Sequence, residues 1–198
     1  MSRQKNKASE EGSSPMSTNR TLREVIPLPQ GVIAEIKGDY FVIQGKRGGS
    51  QRLVNNPKVK VVVEDQQLIF TATPAKKAQK TILMTLVAHA RNMVRGAQEG
   101  HLYKLKICSG HFPMNVALAG NELIIKNFLG EKYPRKMPVP TAVSVKVQGS
   151  EVVVESADKE LAGQIAADIE QLTKITNRDR RVFQDGIYIT MKDGKELL

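Results

Sequence analysis

Apolar positions recur along this chain with two periods, and the short period gives way to the long one twice. Residues 32–37 and 40–44 are β-branched and aromatic, and Gly38-Asp39 between them is a two-residue hairpin signal. Lys46-Arg47-Gly48-Gly49 marks a second turn, and residues 59–63 and 68–71 make another strand pair around residues 64–67. The spacing then lengthens. Ile82, Leu83, Leu86, Val87, Ala90, Met93 and Val94 fall on one face of a helix predicted over residues 75–95, with Gly96 as its stop.

The second half runs in the same order. Residues 121–125 read as a strand and 126–140 as a long basic loop. Residues 142–148 and 151–155 read as a hairpin around Gly149-Ser150. A helix over 158–173 sets Leu161, Ile165, Ile169 and Leu172 on one face. Residues 42–48 align with 124–130 at an offset of 82, and Leu68-Ile69-Phe70 align with Val152-Val153-Val154 at an offset of 84. The prediction is an α+β fold: two tandem copies of a small, mainly antiparallel β-sheet covered by one α-helix. The repeats span residues 21–100 and 101–190, after an N-terminal extension over 1–20 and before a C-terminal tail over 191–198.

Composition narrows the function. With 40% apolar residues the chain can bury real cores. Its single Cys excludes a disulfide framework and a Cys-based zinc ribbon. No apolar run approaches the ~20 residues of a membrane span, and the first fifteen residues lack the apolar stretch of a secretory signal. A soluble, reducing compartment is therefore expected. Residues 1–20 read as a flexible polar extension, with Arg3, Lys5 and Lys7 near its start. The net charge of +10 calls for a polyanion, and nucleic acid is favoured over a membrane because no strongly basic amphipathic helix is evident.

Catalysis has weak candidates. His89 falls inside the first predicted helix and reads as structural. Cys108 and His111 stand three apart, a spacing that strand geometry would send to opposite faces, with no orienting acid at a telling position. The carboxylates show no metal-ligand spacing. Lys46-Arg47-Gly48 sits in a Gly-rich turn, but the order fails the phosphate-loop pattern and leaves only a possible backbone contact to phosphate.

Two basic segments of the second half are sharper. Residues 126–138 combine Lys126, Lys132, Tyr133, Arg135 and Lys136 with prolines that oppose both helix and central strand. The cations suit phosphates and Tyr133 suits a sugar or base. Lys174, Arg178, Arg180 and Arg181 follow the second helix with one acid among them. Net charge runs the other way. Residues 1–99 hold 16 Lys/Arg and 8 acids, while residues 100–198 hold 14 and 12. Either both halves meet the polyanion, or clustering matters more than net charge.

The run HFPMNV at 111–116, the run NFLGEKYPRKMPVP at 127–140 and the pattern through residues 171–192 (Gln171, Ile175, Arg178, Arg181, Phe183, Asp185 to Ile189, Lys192) resemble the universal large-subunit ribosomal protein six family, in its eukaryotic cytosolic form. Lys46-Arg47-Gly48 and residues 89–93 agree with it, and the resemblance covers about residues 17–192. It implies two tandem domains of one α+β fold, no catalysis and no cofactor. It implies binding to large-subunit rRNA, chiefly through the C-terminal domain, with Lys132, Arg135, Lys136, Arg178, Arg180 and Arg181 in contact. It places the protein near the sarcin–ricin loop and stalk base, beside neighbouring ribosomal proteins and docking translational GTPases, in the cytoplasm after partly nucleolar assembly. A free RNA-binding regulator and an enzyme built on Cys108 and His111 are the competing readings.

Overall fold

The computed structural model describes residues 21–54, 56–74, 76–179 and 181–197. In the first half, strands β1 (Leu22–Pro27), β5 (Val59–Glu64) and β6 (Gln67–Ala72) form an antiparallel sheet in the order β1-β6-β5. Strands β2 (Ile33–Lys37), β3 (Tyr40–Gly45) and β4 (Gly48–Leu53) form a second antiparallel sheet. Helix α1 (Lys77–Gln98) turns Leu83, Leu86, Val87, Ala90 and Val94 into the core against Phe41, Ile43, Leu68 and Phe70.

The second half repeats the plan. Strands β8 (Asn115–Ala119), β9 (Glu122–Lys126) and β10 (Arg135–Pro138) make a three-stranded sheet. Strands β7 (His101–Cys108), β11 (Ser144–Gln148), β12 (Glu151–Ser156), β13 (Gly186–Lys192) and β14 (Lys195–Glu196) make a five-stranded one, ordered β11-β12-β7-β13-β14. Helix α2 (Lys159–Leu172) buries Ala162, Ile165, Ala166 and Ile169 over Leu105, Val152, Val154 and Ile187. The duplication reaches single residues: β6 and β12 share one burial pattern, and so do β2 and β8.

The α+β class and the antiparallel pairing match the expectation, but each half holds two small sheets where one was expected. β1, β4, β7, β8 and β13 occupy stretches where no strand was predicted. The expected loop over 126–140 contains a 3₁₀ turn (Phe128–Gly130) and β10, which pairs with β9. β10 is an edge strand ending at Pro138, where a missing N–H costs no ladder bond. The expected tail over 191–198 includes β14, closed by Asp193 and Gly194 at φ 50° and 83°, the pair of positive angles a tight hairpin needs.

Gly96 does not stop α1. It lies inside the helix because the second half packs against its bare face: a Cβ there would stand 2.0 Å from the Ala157 carbonyl oxygen and 2.8 Å from His101 Nε2. The chain turns instead at Gly100, with φ at 80°. His101, 1% exposed, then joins the halves, with Nε2 3.0 Å from the Asn92 carbonyl of α1 and Nδ1 2.8 Å from Asp193. Arg95 of α1 and Lys159 of α2 reach the same carboxylate at 3.2 and 3.0 Å. Burial pushes Asp193 up, but the hydrogen bonds from His101 and Lys159 outweigh it and hold the carboxyl below its usual range. Glu160 of α2 adds a second tie, to Arg52 of β4 and His89 of α1.

Candidate nucleic-acid interface

One structural tie joins the first basic segment of the second half to the helix end that precedes the other. Arg135, on β10, donates to both Glu131 carboxylate oxygens at 2.9 and 2.6 Å and to the Leu172 carbonyl at the end of α2. Its guanidinium also lies 4.3 Å from the centre of the Phe128 ring. The Arg135 hydrogen bonds hold Glu131 below the ordinary carboxylate range, against a smaller upward push from burial. Arg135 is thus half-buried and engaged inside the protein, fastening the 126–138 segment to the end of α2, two residues before the 174–181 segment begins.

The other described cations of the two segments are exposed. Lys126 ends β9, Lys136 lies on β10, and Lys132 and Tyr133 occupy the turn between, with Tyr133 86% exposed. Lys174, Arg178 and Arg181 are exposed on the segment after α2. The Asp179 side chain accepts from the Arg181 N–H at 2.9 Å, bending the segment there. Arg178 lies 4.9 Å from the Phe183 ring centre. Arg180 lies outside the described residues, as do residues 1–20 with Arg3, Lys5 and Lys7.

Lys46, Arg47 and Gly48 are placed elsewhere. Their turn packs into the joint between the halves: the Arg47 N–H donates to the Ala97 carbonyl at 3.2 Å, and a Cβ on Gly48 would touch the Ala157 Cβ. Arg47 lines a cleft of about 320 Å³ together with Glu99, Ala142 and Glu155. Lys46 and Arg47 themselves are exposed.

One cluster has no counterpart among the sequence expectations. Asp185, 1% exposed, accepts from the Gly110 and His111 N–H groups and from His111 Nδ1 at 2.7 Å. Burial pushes this carboxyl up, but the donors of His111 and Gly110 outweigh it and hold it low. His111 therefore has an orienting acid, contrary to expectation. The ring also stacks on Phe183, with centres 4.7 Å apart. An acid 74 residues away in sequence gives no local signal; both residues fall in runs that carry the family resemblance, His111 at the start of one and Asp185 within another. Cys108 closes β7, and His111 lies beyond that strand, so alternating strand faces do not govern the pair. Among the described residues no group of three or more His, Cys, Asp or Glu could hold a metal ion, and no helix is long and apolar enough to cross a membrane.

A family model described as Ribosomal protein L6 matches residues 112–186, which hold both basic segments. The large ribosomal subunit protein uL6 of Methanococcus vannielii is 44% identical over 176 residues, covering 89% of this chain and 97% of its own length. The uL6 protein of Methanospirillum hungatei is 40% identical over 172 residues, covering 87% of this chain and 98% of its own.

Proposed function

The chain belongs to the ribosomal protein L6 family, and from that premise we propose that it holds large-subunit rRNA on the exposed cations of its second half. It is a structural protein of the large ribosomal subunit and not an enzyme. The observation that carries the reading is the Arg135–Leu172 hydrogen bond, which ties the 126–138 segment to the end of α2, two residues before the 174–181 segment begins. Separated clusters would each neutralise a few phosphates, whereas a joined set can follow one stretch of backbone. Arg contributes a planar two-donor fork and Lys a mobile point charge. Tyr133 can stack on an unpaired base or pack against a ribose. Counterion release then makes binding weaken steeply with salt.

The fuller reading sets this face near the sarcin–ricin loop and stalk base, where neighbouring proteins and translational GTPases gather. It has the protein join the subunit partly in the nucleolus and work in the cytoplasm. Replacing Arg178, Arg180 and Arg181 by Ala is expected to weaken rRNA binding at least about tenfold. The slope of log affinity against log salt should flatten by about 0.7 for each phosphate that is no longer neutralised. Full affinity in a folded triple variant would refute the role. A cleavage reagent tethered through Lys132→Cys, carried into large subunits, tests the location: cuts confined to rRNA away from the sarcin–ricin loop and stalk base would move the protein elsewhere.

A further inference from the structure

His111 and Asp185 form a pair that the reading above leaves without a task. The Asp185 carboxylate is buried, and a buried carboxylate is costly without a counter-charge. The His111 ring is the titratable base that touches it, through Nδ1. Nδ1 is taken by that bond, and no described residue is bonded to Nε2. His111 lines a groove of about 590 Å³ together with Cys108, Gln184 and Tyr188. Phe183, against one side of the ring, also carries Arg178. Exposed lysines and arginines are mobile, whereas this imidazole is held at two places, by Asp185 at Nδ1 and by the Phe183 face, and the His111 backbone N–H also donates to Asp185.

We infer that His111 is a proton-dependent RNA contact: its imidazolium, held by Asp185, donates Nε2–H to a phosphate oxygen of rRNA lying across Arg178 and the groove. This rests on the second-half RNA reading and adds a residue and a protonation state to it. Among the described residues, the charged and titratable groups around the ring are Asp185 ahead of β13, Arg178 across Phe183, and Cys108 at the end of β7 and Tyr188 on β13, which line the same groove. Asp185 is the anion bonded to the ring, at Nδ1. A bound phosphate supplies a second anion, so RNA binding draws a proton onto His111. The neutral ring would instead present Nε2 as an acceptor, which suits a ribose 2′-hydroxyl and reverses the pH dependence.

The test is binding of the full chain to transcribed large-subunit rRNA at fixed salt between pH 5.5 and 8, for wild type, His111→Gln and Asp185→Asn. Gln can still donate to Asp185, so His111→Gln keeps the loop tied. The wild type is expected to bind more tightly as pH falls, and His111→Gln to bind about tenfold more weakly at pH 6 with a flatter profile. Calorimetry in two buffers of different ionisation enthalpy should show less proton uptake for His111→Gln than for wild type. An unchanged pH profile and unchanged proton uptake in folded His111→Gln would overturn the inference, and so would wild-type affinity that rises with pH. Failure of the wild type to bind rRNA at any pH would overturn the RNA reading itself, a separate result.

Discussion

Strands β6 and β12 repeat one burial pattern position for position, yet the basic segments of their two halves are arranged differently. The first half has the larger excess of Lys and Arg, and its Gly-rich turn at Lys46–Gly48 is packed into the joint. The second half has less net charge, and its Arg135 ties one basic segment to the helix end that precedes the other. It also adds β13 and β14 at the β7 edge, whereas β1, the matching strand, pairs only with β6 among the described strands. A duplicated scaffold therefore does not duplicate a surface. The added hairpin brings Asp193 to the joint, and the segment leading into it brings Arg178, Arg181 and Asp185.

The strongest way to break this comparison is one substitution made in both helices. Gly96 faces Ala157 so closely that an added Cβ must displace backbone. Gly96→Ala is expected to cost about 3 kcal/mol, at the upper end for overpacking. In α2 a Cβ on Gly163 meets mainly the Tyr103 hydroxyl at 3.2 Å. The helix gains about 1 kcal/mol when Gly becomes Ala, so Gly163→Ala should stay within about 1 kcal/mol of wild type. Urea unfolding measures both. Equal costs would mean that the joint does not press on α1 as its geometry states.

Gly96 also marks where the sequence stopped being legible. A glycine late in a helical pattern reads as a stop, because nothing local reports a backbone from another half lying against it. β5, β6, β11 and β12 were readable as short apolar runs rich in β-branched residues, and β6 and β12 each bury three residues in succession. β10 was hidden by its charges and Pro138, both tolerable at an edge. β7 alternates buried His101, Tyr103 and Leu105 with more exposed Leu102, Lys104 and Lys106, and was missed because its buried set includes a histidine. The basic segments were visible as composition. That Arg135 is a tie rather than a free cation was not, because its partners, Glu131 and the Leu172 carbonyl, take their meaning only from the folded backbone.

A middle-sized effect is expected at Asp193, the acid that the second half lends to the joint. Asp193→Asn removes the partner of His101, Lys159 and Arg95 and should cost about 2 kcal/mol at pH 7, less than a fully buried pair because Lys159 and Arg95 are partly solvated. The carboxyl is held below its ordinary value, so its contribution is complete above about pH 4 and is lost as pH falls through the lowered value. Wild type and Asp193→Asn should therefore converge in stability below about pH 4. A gap that persists undiminished to pH 2 would remove Asp193 as the charge that joins the halves.

The smallest expected effect lies at the helix starts, and it sharpens the comparison most. Asp158 caps α2 by accepting from the Glu160 N–H at 2.8 Å, while α1 begins at Lys76 with no side-chain cap and no acid in its first turn. Asp158→Ala should cost about 1 kcal/mol. Lys76→Asp should gain about 0.5 kcal/mol, since the extended backbone at Lys76 already suits a cap and an acid complements the helix dipole. The same variant carries a second readout. If RNA is held by the second half, Lys76→Asp leaves rRNA affinity within about twofold of wild type, apart from the long-range effect of the altered charge, which salt screens. A larger drop that persists at high salt would mean that α1 forgoes its cap in order to hold a phosphate, and the first half would then join the interface.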